Sequence, residues 1–132
     1  MEDGIVLGPV HHAALRVMQL DRSIAFYTSL FGFQSIAELP EVTILSNGTL
    51  ILGLRERGPA ANGDRFDEQR VGLDHLSFSV ASREELDRAM QILDQRGVPH
   101  GTVEDMGQDF GMFVLALRDP DNIQLELTAP YA

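Results

Sequence analysis

The chain contains no cysteine, which excludes disulfides, thiolate metal ligands, iron–sulfur clusters and a cysteine nucleophile. Basic residues are scarce: 10 Lys and Arg stand against 20 Asp and Glu, for a formal charge of −10 and a pI near 4.6. Nonspecific attraction to nucleic acid or to an anionic membrane is therefore disfavoured, and small molecules or other proteins are left as partners. No apolar run approaches the length of a transmembrane helix. The opening "MEDGIVLGPV" has no basic stretch ahead of a long apolar one, so it does not read as a secretory signal, and the expectation is a soluble cytoplasmic protein. What is present is 132 residues with 44% hydrophobic content, enough for one compact domain, 1–132, with a real core.

One pattern is written twice. "HAALRV" (12–17) is followed by a helical stretch closing at Gly32, and "HLSFSV" (75–80) by one closing at Gly97. The first helix is expected to open at Asp21 as N-cap and to carry Ile24, Tyr27, Leu30 and Phe31 on its apolar side. The second opens with "SREE", where Ser82 and Glu85 have capping-box spacing, and carries Leu86, Ala89, Met90 and Leu93. Both glycines suit a left-handed helix terminus. Short extended runs follow near 34–37, 42–45 and 49–55 in the first half, and near 100–103, 112–117 and 123–128 in the second. The reading is two βαβββ modules, 9–57 and 71–130, joined by a glycine-rich, charged segment, 58–70, expected to be a mobile loop.

Period two sorts the strand residues by face. Ala13, Leu15 and Val17 form one side of the first strand and His12, Ala14 and Arg16 the other. In the second module Leu76, Phe78 and Val80 oppose His75, Ser77 and Ser79. In "NIQLEL" Ile123, Leu125 and Leu127 oppose Gln124 and Glu126. Two histidines and a glutamate thus share the parity turned away from the helices. If the two sheets curl together, that face lines a cup. His12, His75 and Glu126 would then form a facial triad holding a divalent metal (iron, manganese, nickel or zinc), with open positions for water and substrate. Arg16 and Arg55 have the same parity and would offset negative charge on a substrate. Phe110 and Met112 are apolar candidates for the pocket lining. His11, of opposite parity, and His100, at a strand start, read as surface residues.

The segments "HHAALRVMQLDRSIAFYTSLFGF", "LDHLSFSV" and "DPDNIQLEL" together resemble the vicinal oxygen chelate superfamily of glyoxalase I, bleomycin-resistance proteins, fosfomycin-resistance enzymes, methylmalonyl-CoA epimerase and extradiol dioxygenases. The resemblance implies an α+β fold in which two βαβββ modules pair curved mixed sheets into a cup with the helices outside. It also implies His12, His75 and Glu126 as metal ligands, a small-molecule substrate bound through vicinal oxygens, and a homodimer. Gly53 stands where glyoxalase I and the epimerase carry a fourth ligand, Ala116 where extradiol dioxygenases carry a tyrosine, and Ala14 where fosfomycin-resistance enzymes carry a threonine. The function this implies is metal-dependent dioxygenase or lyase/isomerase chemistry. Its rival is a non-catalytic drug- or metabolite-binding cup of the bleomycin-resistance kind.

Overall fold

The structure, a computed structural model, describes residues 3–132, and the chain divides into two units between Asp64 and Arg65. The first unit runs β1 (Ala13–Val17), α1 (Leu20–Phe31), β2 (Gln34–Leu39), β3 (Val42–Ser46) and β4 (Ile51–Glu56). The second runs β5 (Leu76–Ser79), α2 (Arg83–Gln95), β6 (Glu104–Asp105), β7 (Met112–Arg118) and β8 (Gln124–Pro130). Each unit holds one four-stranded mixed sheet, ordered β1-β4-β3-β2 and β5-β8-β7-β6. In each, the strand before the helix lies parallel to the last strand, and the other pairings are antiparallel. The fold is α+β, built from βαβββ modules as the repeat predicts.

Alternation decides which face of each sheet meets its helix. In β1, Leu15 and Val17 are buried and Ala14 and Arg16 exposed; in β8, Leu125, Leu127 and Ala129 are buried while Gln124, Glu126 and Thr128 are half-exposed. The helices match with single stripes. Ser23 and Tyr27 are the fully buried pair of α1, four residues apart, and Leu86 and Leu93 those of α2, seven apart. Leu115 and Leu117 pair with Leu127 and Leu125 across β7 and β8, so α2 covers an aliphatic layer.

Several local expectations shift. The first helix begins at Leu20, with Gln19 in the N-cap position and no side-chain cap, while Asp21 sits in the first turn near the positive helix end. Ile24, Leu30 and Phe31 are only half-buried, and Ser23 takes the place they were expected to fill. Ser82 does occupy the N-cap of α2, but its side chain makes no capping bond; the Glu85 N–H instead donates to the Ser82 carbonyl at 3.1 Å. Gly32 (φ 73°) and Gly97 (φ 66°) both take the left-handed conformation. At Gly97 the closure is a Schellman pair, Val98 N–H to Leu93 C=O at 2.9 Å and Gly97 N–H to Asp94 C=O at 3.2 Å.

The strand expected at 100–103 is reduced to one bridge, His100 to Leu117, and the paired strand comes later, at Glu104–Asp105. Pro99 has no N–H to donate. The His100 ring, moreover, is bonded on both sides, Nδ1 to the Gly101 carbonyl and Nε2 to Asp94 Oδ1, each at 2.6 Å. The segment 58–70 is not structureless: Pro59–Ala61 form a 3-10 turn, and the Phe66 N–H donates to the Asp121 carbonyl at 3.0 Å. Asn122 Nδ2 returns a bond to the Phe66 carbonyl at 3.0 Å. The turn that receives this segment is held by Asp119, whose Oδ1 accepts the N–H groups of Asp121 and Ile123 at 2.8 and 2.9 Å.

Two outcomes follow. Leu125, fully buried, sits beside the solvent-facing Gln124, so Leu125→Ala is expected to cost about 2–5 kcal/mol in urea unfolding and Gln124→Ala under about 1 kcal/mol. Equal losses would contradict the assigned faces. The Asp94 carboxylate, helped by the Gly101 carbonyl, raises the His100 pKa above its ordinary 6.5. That contribution is full below pH 6.5 and is lost as pH rises through the raised folded-state value. Thermal melts should therefore show wild type more stable than Asp94→Asn at pH 5.5, with the gap closing by pH 9; a gap that widens with pH would contradict the assignment.

Candidate metal centre

Glu126 stands in the middle of β8 between two small neighbours, Ser77 of β5 and Ala116 of β7. Neither reaches far from the sheet, so the carboxylate has room on the polar face, and its side chain keeps 20% of its exposure. His75 lies one residue ahead of β5, with the parity of Ser77, and its side chain is 38% exposed. Its Nε2 is 3.2 Å from Glu126 Oε2, and its Nδ1 is 2.7 Å from Asp74 Oδ1. The structure thus brings together two of the three predicted ligands.

The first module repeats the register without the carboxylate. His12 lies one residue ahead of β1, and Ala14 pairs with Gly53 of β4 as Ser77 pairs with Glu126 of β8. Gly53 is therefore the counterpart of Glu126. It is buried, and a Cβ there would sit 3.4 Å from the Ala14 Cβ and 3.7 Å from Ile44 Cδ1. This row offers neither a ligand nor an acid–base group. His12 is exposed, its Nδ1 2.9 Å from that of His11 with the rings edge to face, so one nitrogen donates and the other accepts. Among the described residues no three His, Asp or Glu side chains gather into a cluster ready to hold a metal.

Arg16 and Arg55 are direct cross-strand partners on the exposed face of the first sheet. Arg16 Nη1 donates to the Glu56 carbonyl at 2.9 Å. Like charges placed opposite one another are unfavourable unless an anion lies between them. Met112 shares the Glu126 face of its sheet, through the pairing of β7 with β8. Phe110 is 69% exposed in the turn before β7, away from any strand. Phe113 has the opposite parity, its ring 4.8 Å from that of Tyr131 and 5.5 Å from the Arg83 guanidinium.

Asp74 went unread in the sequence although it adjoins His75; an acid directly ahead of a candidate ligand is the signal that could have found it. Likewise His11 precedes His12, so in both modules the preceding side chain engages Nδ1 and Nε2 is the nitrogen left for another partner. The donor set fits a divalent cation. Cis ligands at about 2.1 Å from one ion are roughly 3.0 Å apart in an octahedron and 3.4 Å in a tetrahedron, and the observed 3.2 Å lies between.

Known proteins carry the same architecture. A Glyoxalase/Bleomycin resistance protein/Dioxygenase superfamily model matches residues 10–127. A glyoxylase/bleomycin resistance protein/dioxygenase domain from Frankia sp. EAN1pec is 33% identical, covering 95% of this chain and 93% of its own, with a TM-score of 0.80. The catechol-2,3-dioxygenase of Bacillus subtilis is 29% identical over 91% of this chain, which spans 41% of that enzyme's length. The fosfomycin resistance protein FosX of Listeria monocytogenes, solved with Mn(II) and sulfate, shares the fold at a TM-score of 0.77 and 22% identity, over 95% of this chain and 94% of its own. The chain belongs to the Glyoxalase/Bleomycin resistance protein/Dioxygenase superfamily.

Proposed function

We propose that this protein is a metal-dependent enzyme acting on a small molecule that presents two adjacent oxygens to a divalent metal held by His75, Glu126 and His12. The observation that carries the reading is the meeting of His75 Nε2 and Glu126 Oε2 at 3.2 Å, with the other histidine nitrogen already engaged by Asp74. With Nδ1 donating to Asp74, a neutral ring turns an Nε2 lone pair toward the carboxylate and calls for a cation between them, whereas a doubly protonated ring would donate to Glu126 directly. His12, at the equivalent position ahead of its strand in the other module, is proposed as the third donor on the strength of the sequence repeat. A homodimer acting in the cytoplasm belongs to the same reading.

A bound divalent metal would supply Lewis acidity, lowering the pKa of a coordinated hydroxyl. The chain's own residues supply the rest. Glu126 contributes the one negative charge of the donor set, leaving a net positive centre that favours an anionic substrate. Arg16 and Arg55, adjacent on the first sheet, gain from an anion that relieves their repulsion. Met112 offers apolar surface on the Glu126 face.

Two reaction types are open to such a centre. Isomerisation or lyase chemistry by proton shuttling needs an acid–base group close to the reacting carbon, and the row Ala14–Gly53–Ile44 holds none. Oxygen-dependent cleavage, in which the substrate brings its own adjacent oxygens, asks less of that row, and its own departure lies beside Glu126, where Ala116 replaces the tyrosine of extradiol dioxygenases. The similarity to catechol-2,3-dioxygenase supports the second type.

Elemental analysis of protein purified without added metal tests the reading. About one iron, manganese, nickel or zinc per chain is expected in wild type, and a loss of most of it in Glu126→Ala, His75→Ala and His12→Ala. With iron bound, oxygen uptake on catecholic substrates should follow. Wild-type protein that takes up no divalent metal would instead be a sequestering cup of the bleomycin-resistance kind.

A further inference from the structure

A run of hydrogen bonds that the metal reading leaves unused ends on His75. Glu68 accepts a bidentate pair from Arg118, Nη1 to Oε1 at 2.9 Å and Nη2 to Oε2 at 2.8 Å. Arg118 Nη2 also reaches Gln124 Oε1 at 3.4 Å. Gln124 Nε2 donates to the Asp74 carbonyl and to Asp74 Oδ1, both at 3.1 Å. Asp74 Oδ1 in turn lies 2.7 Å from His75 Nδ1.

Each group in this run can play only one part. A guanidinium only donates and a carboxylate only accepts, so the Gln124 amide, lying between Arg118 and Asp74, must turn its oxygen to the first and its nitrogen to the second. Asp74, an acceptor only, requires the proton of the His75 ring at Nδ1. That leaves Nε2 as the coordinating nitrogen, facing Glu126. The sheet makes the run possible: Arg118 and Gln124 are cross-strand partners on β7 and β8, and Gln124 shares its face with Glu126. The far end is firm, since the Arg118 guanidinium holds the Glu68 carboxyl at a pKa of about 2.

We infer that Asp74, steered by Gln124 and the Arg118–Glu68 pair, is a positioning residue that fixes the His75 ring with its proton on Nδ1 and its Nε2 directed at the cation shared with Glu126. The inference rests on the metal reading above. It adds that part of the 58–70 segment, through Glu68, supports the centre from outside. A carboxylate bonded to a ligating histidine contributes about 10–100-fold in metal affinity. Asp74 is 67% exposed, which places this one at the lower end.

Zn(II) is the probe: affinity by isothermal titration, and ring nitrogens by NMR of the Zn(II)-loaded, 15N-histidine protein. Wild type should show His75 coordinated through Nε2 with a slowly exchanging Nδ1–H. Asp74→Ala should bind Zn(II) about tenfold more weakly and lose the slow exchange, while Asp74→Asn, whose amide oxygen still accepts, should recover most of both. Gln124→Leu should weaken binding by a smaller factor without touching His75. Unchanged affinity and an unchanged His75 spectrum in Asp74→Ala would overturn the inference and leave the metal reading standing. No Zn(II) bound by wild type would overturn both. Because Asp74 is exposed, its variants should melt as wild type does, which separates loss of positioning from loss of fold.

Discussion

The alternation of β8 is the constraint on which the structure depends. Leu125, Leu127 and Ala129 have to be buried beneath α2, and once they are, Gln124, Glu126 and Thr128 have no choice of face. A shift of one residue would bury a carboxylate without a cation and expose three apolar side chains, at a cost no local adjustment recovers. The core therefore sets the site. Parallel pairing with β5 puts Ser77 beside Glu126 and carries His75 to within 3.2 Å of it. Antiparallel pairing with β7 puts Ala116 on the other flank and Arg118 beside Gln124.

Much of this was legible because it rests on period two. The face of Glu126 and its meeting with His75, the two helices and the two-module plan follow from strict alternation and from repeated strand–helix–glycine units. What was not legible rests on side chains that compete with regular structure. Ser82 has the capping residue and spacing but leaves the bond to the backbone, and His100 binds the carbonyl of its own neighbour and displaces a strand by several residues. The segment 58–70 looks flexible from composition. Its attachments, Phe66 to Asp121 and Glu68 to Arg118, join residues more than 45 positions apart, and such pairs leave no trace in a local pattern.

The two modules share a register and differ in chemistry. Where the second places Glu126, the first places Gly53, packed against Ala14 and Ile44. Duplication thus leaves one half as the carboxylate-bearing half, supported by Asp74 and Gln124. The other half carries His12 ahead of its first strand and the cross-strand pair Arg16 and Arg55. In the proposed function a divalent ion beside the single Glu126 carboxylate would keep a net positive charge, and that would suit a substrate that binds as an anion through its oxygens.

The central claim is that the His75 imidazole and the Glu126 carboxylate of the second module meet on one ion. Pulsed electron paramagnetic resonance of the Mn(II)-loaded protein, prepared with 15N-histidine, tests it most directly. The account predicts a coupling from a directly bound nitrogen of His75, removed by His75→Ala and lost with the bound metal in Glu126→Ala. A spectrum of bound Mn(II) without a histidine nitrogen coupling, or one that His75→Ala leaves unchanged, would contradict it.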